Sequence, residues 1–202
     1  MVCVFTPSRD AIRWDIPETC GKRVNSISPE PWLRGPLPDV HPAVMPVLFS
    51  FQQVREDLRK HTRGISDVQV WTPTPAGTLG FQLKHLAGSI DRISTYLVGE
   101  GLTDQQLQQL STESDGQGTL AELLIQVEQS LRAGEERMRE VDPAQLFAFR
   151  GVGRKNLPST VIGLLVHLAE HTQRHLGQAI TLTQVIRGSR VPPPEAETVH
   201  EQ

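Results

Sequence analysis

The chain has 202 residues, 38% of them hydrophobic and 21% charged, enough apolar material for one packed core and too much for wholesale disorder. A net charge of −3 with scattered basic residues excludes a protein whose main partner is nucleic acid, because phosphate binding needs a clustered basic surface. No apolar run reaches the roughly 18 residues needed to span a bilayer, and the N-terminus lacks the apolar run of a signal peptide, so a cytoplasmic, membrane-free protein is expected. The two cysteines, Cys3 and Cys20, match neither zinc-knuckle nor CxxC spacing; a framework of disulfides is excluded, and a single Cys3–Cys20 bridge stays open.

Residues 1–44 carry seven prolines (Pro7, Pro17, Pro29, Pro31, Pro36, Pro38 and Pro42) and no sustained periodicity. Proline fixes φ and removes a backbone donor, so this stretch is expected to be an irregular extension. Its Trp14 and Trp32 are costly to leave in water, which predicts packing against the rest of the chain.

From residue 45 the pattern becomes helical. Met45, Leu48, Phe49, Gln52 and Leu58 predict a first helix ending near Gly64. Trp71-Thr-Pro-Thr-Pro-Ala-Gly77 reads as a linker, after which Thr78 can cap a second helix running to about Val98. A box at Thr103 to Gln106 predicts a short helix. Thr119-Leu-Ala-Glu122 is a stronger capping box, in which each side chain satisfies the other end's orphan N–H. Leu120, Leu123, Leu124, Val127, Leu131, Met138 and Val141 then recur at helical spacing until Asp142-Pro143 ends the run. Phe147 to Pro158, with two glycines and the basic pair Arg154-Lys155, reads as a loop. Ser159 or Thr160 opens a last helix reaching about Arg187, roughly 40 Å long at 1.5 Å per residue. Four long helices without a strand pattern predict an all-α four-helix bundle over residues 45–190, followed by a disordered tail at 191–202.

The chemistry concentrates in the last helix, in His167-Leu-Ala-Glu-His171-Thr-Gln-Arg-His175-Leu-Gly-Gln178. Residues at i and i+4 lie one above another on a helix, so neighbouring imidazoles can converge on one ion. At ~100° per residue, Val161, Leu164, Leu165, Leu168, Ala179, Leu182 and Ile186 form one stripe. His175 falls about 20° from the centre of that stripe and His171 about 60°, whereas His167 lies about 100° away. Two histidines on an apolar face need partners for their nitrogens. A metal ion supplies one for both, with hydrogen bonds to neighbouring side chains as the alternative. His167 reads as exposed, or as supporting a ligand. Glu170 points away from His171 and is not cast as a general base. His41, His61 and His200 read as surface positions.

A helical pair leaves a metal site incomplete, and His85, in Leu79-Gly-Phe-Gln-Leu-Lys-His85-Leu-Ala-Gly, is the natural third contributor. It stands off the Leu79/Leu83/Leu86/Ile90/Leu97 stripe beside Phe81 and Tyr96, which suits a site on the flank between two helices.

A histidine early in the second helix, a proline- and tryptophan-containing linker before it, and the late His171-Thr-Gln-Arg-His175-Leu-Gly-Gln178 together resemble the DinB-like superfamily. The likeness spans residues 31–187, including the Pro31-Trp32-Leu-Arg-Gly-Pro-Leu-Pro lead-in, and leaves the first thirty residues unaccounted for. It implies a four-helix bundle, often dimeric, with His85, His171 and His175 holding a divalent metal such as zinc or nickel, and with positions left open for water or substrate. It further implies transferases and isomerases that use mycothiol, bacillithiol or glutathione, hence a low-molecular-weight thiol co-substrate and a small electrophilic substrate. A metal with three protein ligands can lower the pKa of a bound thiol or water. In that setting Gln178 would hydrogen-bond a metal-bound water or close the site. Arg154 and Lys155 would meet a thiol's carboxylates, or else remain solvated loop charges. The competing expectation is a metal-binding, stress-related interaction protein without catalysis.

Overall fold

The structure, a computed structural model, describes residues 28–188. Cys3, Cys20, Trp14, His200 and the expected tail at 191–202 lie outside them. The elements run α1 (Met45–His61), α2 (Asp67–Val70), α3 (Leu79–Leu97), α4 (Asp104–Ser111), α5 (Leu120–Arg139), β1 (Phe149–Val152), β2 (Leu157–Thr160) and α6 (Val161–Gly188). The protein is mostly helical. No helix among the described residues is long and apolar enough to cross a membrane.

Local signals place the helix starts. The Thr78 hydroxyl accepts from the Phe81 N–H at the head of α3. Thr103 with Gln106, and Thr119 with Glu122, form complete capping boxes for α4 and α5. A further box, Ser66 with Gln69, starts the one-turn α2. The first helix ends at His61, three residues before Gly64, where the Thr62 hydroxyl donates to the Leu58 carbonyl.

Packing joins the four long helices around one core. α3 lies against α5 and α6, and α1 against α6 and α5. Phe51, Leu48, Leu83, Leu86, Ile90, Leu123, Leu131, Leu165, Leu168 and Leu176 are fully buried between them. At the rim, Arg55 of α1 reaches Glu128 at 2.8 Å and Glu135 at 2.6 Å on α5. Trp71 lies across Gly80 of α3, where a Cβ would fall 2.5 Å from the ring, and its Nε1–H donates to the Gly118 carbonyl at 2.8 Å. The linker before α3 and the start of α5 are thereby tied together.

Two expectations are corrected. The stretch read as a loop holds a two-stranded antiparallel hairpin, with Phe149 opposite Thr160 and Val152 opposite Leu157, so the chain is not purely α-helical. These four-residue strands show no alternation of buried and exposed positions, so no period-2 pattern could mark them. Backbone pairing defines them, extended by the Val161 N–H donating to the Ala148 carbonyl. Trp32, expected to pack, is 60% exposed. The 3-10 turn Pro31–Leu33 buries Pro31 instead, and the indole N–H donates to the Glu30 carboxylate at 2.7 Å.

Candidate metal centre

Three histidines from two helices converge on the flank of the core. In α6, Leu164, Leu165, Leu168, Thr172, Leu176 and Ala179 face inward, and this stripe sets the rotation of the helix. His171 and His175 fall at its edge, half-buried, with ring centroids 4.4 Å apart. On α3, the buried Gln82, Leu83, Leu86 and Ala87 likewise place His85 at the rim, with Phe81 stacked one turn before it at 5.5 Å. The His85 ring lies 4.4 Å from His175 and 5.3 Å from His171. One nitrogen of each of the three lies within 4.8 Å of the others.

The hydrogen bonds decide which nitrogens face inward. His85 Nδ1 stands 2.7 Å from Glu113 Oε2, and a carboxylate can only accept, so the proton sits on Nδ1. His175 Nδ1 stands 2.8 Å from Gln82 Oε1 and, with the amide oxygen turned toward it, donates to it. Both rings therefore present bare Nε2 atoms. His85 Nε2 and His171 Nε2 face each other at 3.3 Å, and His171 Nδ1 is buried with no hydrogen-bond partner.

Electrostatics favour neutral rings. Burial, followed by the neighbouring His175 and His85, pushes His171 down to about 4 from an ordinary 6.5. His175 is pushed to about 4 by burial and then by His85 and Arg174. At neutral pH both imidazoles carry lone pairs, the form that binds a cation. Three convergent imidazoles, two of them with the outward nitrogen held by an oxygen acceptor, are the donor set of a divalent transition metal, and the residues present fit such an ion.

Behind His85 stands a second layer. Glu113, only 5% exposed, comes from the connection between α4 and α5. Its other oxygen pairs with Arg92, itself 7% exposed, at 2.7 Å. The two atoms are out of line for a hydrogen bond, so the attraction is that of an ion pair. Burial alone would raise the Glu113 pKa; the contacts with His85 and Arg92 outweigh it and hold the carboxyl below its ordinary range. The pair crosses α3 at Gly88, where a Cβ would lie 2.5 Å from Arg92 Nη1 and 2.6 Å from Glu113 Oε1.

Of the residues singled out from the sequence, His85, His171 and His175 come together. His167 is exposed and pairs with Glu170 at 2.8 Å, and Glu170 also contacts Arg174. Gln178 is exposed, with only a minor contact to His175. Arg154 and Lys155 are exposed. His41 is exposed, whereas His61 is half-buried. Glu113, Gln82, Arg92 and Gly88 were not anticipated. Gly88 and Arg92 follow His85 by about one and two turns, a spacing that could have pointed to them. Glu113 stands in a turn with no local signature.

A mostly helical protein with a three-histidine cluster between two helices is the class that fold and site define. A family model of the DinB superfamily matches residues 50–179, which hold all three histidines, and the chain belongs to that superfamily. Among solved structures it is similar to a Streptococcus pneumoniae protein determined as a structural-genomics target, with a TM-score of 0.55 and 12% identity. The likeness covers 74% of this chain and 92% of that one, and it concerns the fold alone. No curated protein matches.

Proposed function

We infer that this chain holds one divalent metal ion, zinc or nickel, through His85, His171 and His175, and transfers a low-molecular-weight thiol to a small electrophile. The observation that carries the reading is the convergence of three half-buried imidazoles, two of them with Nδ1 engaged by oxygen acceptors. Bound there, the ion supplies Lewis acidity that favours the anionic form of a thiol or water at neutral pH. Three protein ligands leave room for a substrate. The chain's own part is to hold His171 and His175 neutral, to aim the rings through Glu113 and Gln82, and to back them with the buried Leu86, Leu168 and Leu176. In this proposal the thiol comes from a second molecule. Its sulfur forms the new C–S bond, and its proton passes to the adduct or departs with the displaced group. A cytoplasmic homodimer built on a four-helix bundle belongs to the same proposal.

The rival reading is metal binding without catalysis, and one observation favours it. A cleft of about 420 Å³ beside the site is lined by Lys84, Gly88, Asp91, Glu113, Gln126 and Gln129 among others, but by none of the three histidines. Elemental analysis separates site from no site: one metal ion per chain is expected, and none in the His171→Ala/His175→Ala variant. Equal metal content in both proteins overturns the assignment. Metal-loaded protein should then accelerate conjugation of glutathione, bacillithiol or mycothiol to an electrophile; inactivity with all three leaves the non-catalytic reading.

A further inference from the structure

His85 differs from the other two histidines in how it is held. His171 and His175 brace each other along one helix, while His85 has no second histidine on α3. It is oriented by a chain of groups: Nδ1 to Glu113 Oε2 at 2.7 Å, and Glu113 Oε1 to Arg92 Nη1 at 2.7 Å. The pair behind the ring is enclosed. Glu113 and Arg92 are more than nine-tenths buried, and the space they occupy exists because residue 88 has no side chain. A buried ion pair is an expensive way to fill a core, and apolar residues of similar size often serve stability as well or better. Its retention here calls for a role that packing does not supply.

We propose that Glu113, clamped by Arg92 across Gly88, is a positioning residue that locks His85 in its Nδ1–H tautomer and so presents Nε2 to the metal. The proposal rests on the metal reading given above. The contrast with His175 sharpens it. Gln82 carries both an acceptor and a donor, so turning its amide over would select either tautomer of His175. A carboxylate has no donor and permits one tautomer only. Glu113 also faces two partners at once, Oε2 toward His85 and Oε1 toward the charge of Arg92, and an amide in the same place can turn its oxygen to only one of them.

That asymmetry provides the test. In Glu113→Gln, a variant of nearly the same shape, the amide oxygen turns to the charged Arg92, since charge-assisted contacts are the stronger ones. The amide NH₂ then faces His85 Nδ1 and drives the ring proton to Nε2, the nitrogen that looks toward His171 at 3.3 Å. Side-chain ¹⁵N NMR of the metal-free wild-type protein should show His85 protonated at Nδ1, and in Glu113→Gln at Nε2. Zn²⁺ affinity, read by competition with a chromophoric chelator, should fall about 10–100-fold in the variant. A residue that only packed would move neither readout. Wild-type His85 protonated at Nε2, or wild-type Zn²⁺ affinity in Glu113→Gln, overturns the proposal. The wild-type measurement decides it even if the variant does not fold. If the wild-type tautomer is as stated but neither Zn²⁺ nor Ni²⁺ is taken up, the metal reading fails and the control of His85 by Glu113 stands.

Discussion

His171 and His175 stand four residues apart on α6, whereas His85 reaches the same point from α3 and is held by a carboxylate 28 residues further along the chain. The α6 half is local. Its geometry follows from helical repeat and from the stripe that buries Leu168 and Leu176. The α3 half is assembled, depending on the α4–α5 connection folding back, on Gly88 leaving space and on Arg92 being buried. Local geometry survives wherever the helix survives. Assembled geometry can be lost by a single side chain two turns away.

The largest effect that sharpens this contrast comes from removing ligands. His85→Ala leaves the α6 pair as a weak two-point site, while His171→Ala/His175→Ala leaves His85 alone and should abolish binding. Isothermal titration with Zn²⁺ is expected to rank them wild type, His85→Ala, double variant. Equal residual affinity in the last two would show that the helical pair is no site by itself.

Next in size is Gly88→Ala. A Cβ there meets both members of the buried pair, so the ion pair must shift or break. The expected loss of stability is about 1–3 kcal/mol, read from urea unfolding, with a weaker Zn²⁺ affinity alongside. Unchanged stability would mean that the pair moves aside freely.

Acid provides a probe aimed at the α6 half. His171 and His175 titrate near 4 when folded, below the ordinary 6.5 of the unfolded chain. Well above pH 6.5 neither state is protonated and these groups do not affect stability. As pH falls from 6.5 toward 4, the unfolded chain takes up protons first, so the metal-free protein loses stability over that window and levels off below it. Undiscounted, the two shifts amount to about 4 kcal/mol between pH 7.5 and pH 5; halved for the partial exposure of the rings, the loss should be about 2 kcal/mol, and it should shrink in the double alanine variant. An unshrunken loss would assign the acid sensitivity to other groups.

The smallest effect is expected at His167, the row's third member on α6. It is exposed and contacts Glu170, so His167→Ala should change stability by no more than about 0.5 kcal/mol and leave Zn²⁺ affinity unaltered. A clear loss of affinity would extend the site along α6.

Much of this was legible in the sequence, for reasons that differ by element. Thr78, Thr103 and Thr119 announce the starts of α3, α4 and α5 because capping depends on residues three apart. The α6 stripe separates His171 and His175 from His167 because helix rotation is a local property. The β1–β2 hairpin was not legible, since its short strands lack a hydrophobic period, and neither was the exposure of Trp32, which follows from Pro31 taking the buried place in the turn. His85 could be nominated from its place on α3, but the sequence did not show what holds it.

The sequence by itself determined the long helices, the rotation of α6 and the pair of histidines it presents, because each depends on residues within one or two turns of each other, whereas the one-turn α2 was not read from it. Only the tertiary structure decided that His85 meets that pair, that Gln82 faces His175, and that Glu113 and Arg92 stand behind His85. Those contacts join residues up to 93 positions apart, and no local pattern encodes which loop will fold onto which helix. Packing selects them, by burying the apolar faces of α3 and α6 together and leaving at Gly88 a gap that the Arg92–Glu113 pair occupies.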